Sequence, residues 1–195
     1  MALITRDSLL SLEAYSKDRE AYRARIIAHK KNRTVHLGAH VTLLFEDELT
    51  MRYQVQEMLR AERIFEDEGI RHELDAYNPL VPDGTNWKAT MLIEYPHEQE
   101  RRVMLSKLLG VEARIWMQVS GHARVHAIAD EDLERETETK TSSVHFLRFE
   151  LDPGMIASAT GGAQVSAGVD HPEYQVPGQT LAPEIAAALA LDLAR

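Results

Sequence analysis

ARIWMQVSGHARVHAIAD, residues 113–130, is the stretch on which the fold class turns. Two runs of alternating apolar residues meet at Ser120-Gly121, a turn dipeptide, so they read as an antiparallel hairpin. Elsewhere strands and helices interleave, as they would in a doubly wound parallel sheet. Parallel neighbours, however, need a long crossover that a hairpin cannot supply. The expectation is an α+β fold with a mixed, largely antiparallel sheet and packed helices. It is expected to form a single domain over residues 1–195, with an N-terminal helical segment at 1–33 and a C-terminal helix at 175–195.

Downstream of the hairpin, DEDLERETETKT (130–141) holds one large apolar residue, Leu133, and reads as a solvated helix or linker. SVHFLRFEL and QVSAGV alternate as strands, and APEIAAALALDL is a helix with Pro183 near its start. Upstream, Pro96 opens a helix that Gly110 closes, WKATMLIEY is a strand, and NPLVPDGTN (78–86) is a loop by its two prolines and glycine. FEDELTMRYQVQEMLRAERIFEDEG (45–69) reads as one amphipathic helix ended by Gly69. TVHLGAHVTLLF is either a continuous strand or a hairpin turning at Gly38-Ala39. Ser16 is a plausible N-cap for a helix reaching about Lys31.

The chain has 195 residues, 44% of them apolar, enough for a substantial core. No segment approaches the roughly 18 apolar residues of a membrane span, and the N-terminus lacks a signal-peptide block, so the expected location is cytoplasmic. The absence of cysteine excludes disulfides, thiol nucleophiles and cysteine-ligated clusters, so any metal must sit on His, Asp and Glu. A net charge of -9 argues against nucleic-acid binding. Against that background RARIIAHKKNR (23–33) stands out as a basic segment without acids. Arg23, Arg25, Lys30, Lys31 and Arg33 either close the last turns of a helix or form a surface for an anion or acidic partner.

No phosphate loop, dinucleotide fingerprint, HExxH or GxSxG occurs. EYPH (94–97) matches a Glu-x-x-His pattern only literally, because Pro96 prevents a shared helical face. The candidate sites are therefore looser. Glu62 falls in the middle of an apolar helical arc with Met51, Val55, Met58, Leu59 and Phe65, and a carboxylate there needs compensation. An Arg or Lys partner would make it structural, and partial exposure at a helix edge or a homodimer interface would also serve. A third option is a divalent metal (iron, manganese or zinc) shared with His145 and His171, with Asp170 behind them. His145 lies on the apolar face of its strand, where a hydrogen-bonded core imidazole is the commoner outcome. His36 and His40 are about 13 Å apart on a continuous strand, and only a hairpin would bring them closer. Finally, the 78–88 loop could cover a pocket, with Asn78, Asp83, Asn86 and Lys88 as ligand contacts and Trp87 as a stacking surface.

RIIAHKKNR, FEDELTMRYQVQEMLRAERI, LDAYNPLVPDGTNWKATMLIEYP, ADEDLERETETKTSSVHFLRFEL and GVDHPEY together resemble a bacterial family known as domain of unknown function 3501. The likeness runs to about Tyr174 and brings no catalytic residues with it. It implies a setting, since genes of this family are often found beside those of rubrerythrin and a cysteine-rich iron–sulfur oxidoreductase. The function expected on that basis is a non-catalytic accessory or binding protein in a peroxide- or iron-linked redox system, with those two proteins as partners. The alternatives are a small metal-binding protein or enzyme on His and Glu, or a small-anion-binding domain.

Overall fold

The structure is a computed structural model describing residues 3–131, 135, 137 and 139–193. Two antiparallel sheets carry the fold. In the first, the order is β1 (Thr34–Leu37), β2 (Val41–Phe45), β3 (Asn86–Ile93), β7 (Val144–Glu150) and β6 (Ile128–Ala129). In the second it is β5 (Val125–His126), β4 (Ile115–Val119), β8 (Val165–His171) and β9 (Tyr174–Thr180). The helices are α1 (Leu12–Lys30), α2 (Glu48–Glu62), α3 (Asp67–Tyr77), α4 (Glu98–Lys107), α5 (Pro153–Thr160) and α6 (Pro183–Ala190). No helix among the described residues is long and apolar enough to cross a membrane.

Period-two alternation gives each sheet one apolar face, and the two apolar faces bury one another. Leu43, Phe45, Trp87 and Met91 from the first sheet join Ile115, Met117, Val165 and Val169 from the second in a single core, to which α5 adds Met155 and α6 adds Leu189. Where β1 and β9 come together, hydrogen bonds link the sheets. The Tyr174 hydroxyl donates to Leu37 O (2.7 Å) and accepts from His40 N–H (2.9 Å), and Gln179 donates to His36 O (2.7 Å). A smaller core, with Met51, Val55, Leu59, Ile70 and Leu74, holds α2 and α3 with the N-terminal segment. Tyr15 and Arg19 of α1 both donate to the carboxylate of Glu57 on α2, at 2.5 and 2.7 Å.

The 113–130 stretch does form an antiparallel hairpin, Trp116 facing His126 and Met117 facing Val125. The second run then changes sheets. Beyond Ala127, whose N–H donates to Ile115 O (2.9 Å), β6 pairs with β7 of the first sheet. The TVHLGAHVTLLF segment is a hairpin, not a continuous strand, and Gly38 turns it at φ 70°. The helix expected over 45–69 is two helices. Arg63 takes the left-handed conformation (φ 56°) and Ile64 N–H closes on Leu59 O (2.8 Å), a helix stop made without glycine. Apolar periodicity continues through Ile64 and Phe65, so nothing in the pattern announces the break, and Phe65 ends up 71% exposed. Ser11, not Ser16, caps α1, accepting from Ala14 N–H at 3.2 Å. The C-terminal segment begins as β9 before α6, and α5 arises in a stretch whose Gly- and Ala-rich composition hides it. The charged run at 130–141 falls partly outside the described residues.

Candidate functional site

The outer face of the first sheet carries the polar half of the alternation. Glu46 N–H donates to Lys88 O (2.8 Å), extending the β2–β3 register by one pair. Glu46, Lys88 and Arg148 therefore form one cross-strand row, and Leu44, Thr90 and Phe146 form the next. Over these rows stands the 3₁₀ turn Asn78–Leu80, and beside them lies Glu131, just past β6. Between turn and sheet is a cavity of about 240 Å³, walled by Pro79, Leu80, Phe146, Lys88 and Arg148, with Glu46 among its lining residues.

Glu46 is only 4% exposed. Thr50, in the first turn of α2, donates to one carboxylate oxygen and Thr90 of β3 to the other, each at 2.6 Å. Burial pushes the carboxyl up from its ordinary range, and Asp47 adds to that. The two hydroxyls and the charge of Lys30 pull the other way without cancelling it. The other charged groups are spoken for. Lys88 donates to two backbone carbonyls, Pro79 O (2.6 Å) and Val81 O (3.0 Å), and burial lowers its ammonium pKa. Arg148 makes two 2.8 Å bonds to Glu131 and also donates to Glu150; its pairing with Glu131 is the main reason its pKa is raised. A buried carboxyl beside an apolar hollow is a combination that binding and catalytic sites share.

The metal ligands expected from sequence are not brought together. Glu62 is the last residue of α2 and is exposed, because the break at Arg63 ends the apolar arc that placed it inside. His145 is fully buried, with Nδ1–H donating to Asp130 Oδ2 (2.5 Å) and Nε2 at 2.8 Å from the Thr141 hydroxyl. His171 donates from Nε2 to Leu109 O (3.0 Å) and accepts Glu173 N–H on Nδ1 (3.2 Å). With both nitrogens of each ring engaged, neither offers a free lone pair. Asp170 pairs with Arg124 at 2.9 Å. Among the described residues no group of three or more His, Cys, Asp or Glu is placed to hold a metal ion.

Of the four loop contacts, Lys88 lines the cavity and the other three hold the backbone or the sheet end. Asn78 accepts from Ile4 N–H (2.8 Å) and donates to Ile4 O (3.0 Å). Asp83 closes a turn by accepting from Thr85 N–H (2.9 Å) and its hydroxyl (2.7 Å). Asn86 is buried against Glu150 (3.4 Å). Trp87, expected as a stacking surface, is sealed in the core with Nε1–H on Leu189 O (2.9 Å).

Within the basic segment Arg23, Arg25 and Lys31 are exposed and Lys30 is half-buried. Arg33 is not a surface residue. It is 3% exposed, donates to both oxygens of Asp192 at 2.8 Å and lies 3.0 Å from Asp47. It thereby fastens the C-terminal residues to the N-cap of α2.

Sequence reasoning missed Glu46. The signal available was parity: Thr42, Leu44 and Glu46 share the outer face of one strand. What the sequence could not show is that a distant turn roofs that face.

The profile of the family described as "Protein of unknown function (DUF3501)" matches residues 3–193, and the chain belongs to that family. No curated protein matches. Among solved structures, one described as a novel protein of unknown function from Burkholderia pseudomallei K96243 is similar, with 56% identity, a TM-score of 0.95, and coverage of 99% of this chain and 100% of that one.

Proposed function

We propose that the chain is a non-catalytic binding protein that holds a small, largely apolar molecule in the Glu46 cavity, as an accessory component of a peroxide- or iron-linked redox system. The observation that carries the binding role is the buried carboxyl of Glu46, aimed by Thr50 and Thr90 beside a hollow of about 240 Å³. Polar groups held rigidly among apolar walls fix a ligand's orientation, and their burial cost is offset when the ligand arrives. That volume lies below the usual range for drug-sized ligands, which restricts the occupant to a small molecule.

The redox setting is supported by the family likeness of the sequence and by nothing in the cavity. The two halves are tested separately. A ligand-observed NMR screen of small amphipathic molecules should give compounds whose binding disappears in Leu80→Trp, which fills the hollow from its lip. Hits that bind the variant equally well, or a library without hits, would remove the cavity from consideration. Pull-down with a rubrerythrin-like protein and the iron–sulfur oxidoreductase at low and moderate salt tests the setting, and recovery of neither partner counts against it.

A further inference from the structure

Charge around the Glu46 cavity is paired at the rim and unpaired within. Arg148 is held by Glu131 and Glu150, so its charge is already answered. Lys88 stands directly across β2–β3 from Glu46, the position from which a cross-strand ion pair normally forms. Its ammonium is instead turned to the carbonyls of Pro79 and Val81. Among the described residues no cation is shown within ion-pairing distance of Glu46, and Lys30 and Arg33 act on it only through space. The oxygens of Glu46 receive two neutral hydroxyls, which aim the carboxylate without supplying a counter-charge. The fold thus turns the cross-strand cation away from a buried acid and leaves an apolar space beside it.

Resting on the reading of this cavity as a binding site, the geometry points to its ligand as a small primary amine in its protonated form, the ammonium on Glu46 and a short apolar body against Leu80, Pro79 and Phe146. A bound ammonium would supply a direct ion-pair partner and make charge-assisted hydrogen bonds to oxygens already fixed in place. Carboxylates and phosphates are disfavoured by the same feature, since they would bring a second negative charge to an unpaired one. The protein's net charge of -9 favours the approach of cations.

The test uses n-butylamine, butyrate and 1-butanol, matched in body and differing in head group, at neutral pH and low salt. Binding is followed by titration NMR on the backbone amides of Thr90 and Phe146. Butylamine should bind the wild-type chain at least about tenfold more tightly than the other two. That preference should vanish in Glu46→Gln and survive in Thr90→Val, which keeps the carboxylate. All binding should be lost in Leu80→Trp, with circular dichroism confirming that each variant is folded. Equal or tighter binding of butyrate or butanol, abolished by Leu80→Trp, overturns the amine assignment while the cavity stands. Butylamine binding that Leu80→Trp leaves intact overturns both, and no butylamine binding overturns the amine assignment.

Discussion

Arg33 sets the sharpest energetic test, because a surface cation and a buried one differ severalfold in what their removal costs. Arg33→Met replaces a guanidinium that is 3% exposed with a side chain of comparable length and no charge. Left behind are Asp192, whose side chain is 6% exposed, and Asp47, at 13%. Asp47 retains His29 Nε2 at 2.7 Å and the α2 cap bond from Thr50 N–H at 2.9 Å, whereas Asp192 loses both of its 2.8 Å bonds. Breaking a buried pair by removing one member costs about 3–5 kcal/mol, against about 0–1 kcal/mol for an exposed pair. For a chain of this size each kcal/mol lowers Tm by about 2–4 °C, so the variant should melt about 6–20 °C below wild type. Urea unfolding at neutral pH measures the loss, and a double-mutant cycle with Asp192→Leu isolates the pair. The double variant should lose clearly less than the sum of the two single losses, because the second change removes the stranded carboxylate. A loss under about 1 kcal/mol for Arg33→Met, or simple additivity in the cycle, would show that the pair is not energetically buried and refute the reasoning.

Glu46→Gln tests the buried acid through pH. Because the folded-state pKa is raised above the unfolded value, the native chain binds this proton more tightly, and stability falls as pH rises from about 4.3 through the folded pKa. The stability of the variant relative to wild type should therefore climb across that window and level off above it, and a flat difference would contradict the raised pKa. His145→Ala removes the bond to Asp130 Oδ2 and opens a hole in a fully buried position, so a loss of at least about 2 kcal/mol is expected in chemical denaturation. The metal content of protein purified without chelator should be the same with and without that change. Gly38→Ala places a Cβ 2.6 Å from the Tyr174 hydroxyl at a backbone angle of φ 70°, and should destabilise by more than about 1 kcal/mol. Tyr174→Phe removes the hydroxyl of that contact, so Gly38→Ala should cost less in its background.

Most of the strands were legible because alternation is a local property. WKATMLIEY and SVHFLRFEL fix β3 and β7 by parity alone, and the same parity assigned His145 to the apolar side. Helix α2 was legible too, but its end was not. The stop at Arg63 is a left-handed residue with no glycine to mark it, and the apolar rhythm runs on past it. That one misplaced boundary is what made Glu62 look buried.

By itself the sequence determined the antiparallel α+β class, the absence of any thiol chemistry, and which residues of each strand share a face. These follow from chain-local periodicity and composition, which no distant contact can alter. Only the tertiary structure decided which acid is buried without a direct ion pair and which cation is buried with one. Glu46 owes its environment to a turn more than 30 residues away in the chain, and Arg33 owes its partner to a residue 159 positions later. Burial of a charge is set by what packs over it, and that is known only once the chain has closed on itself.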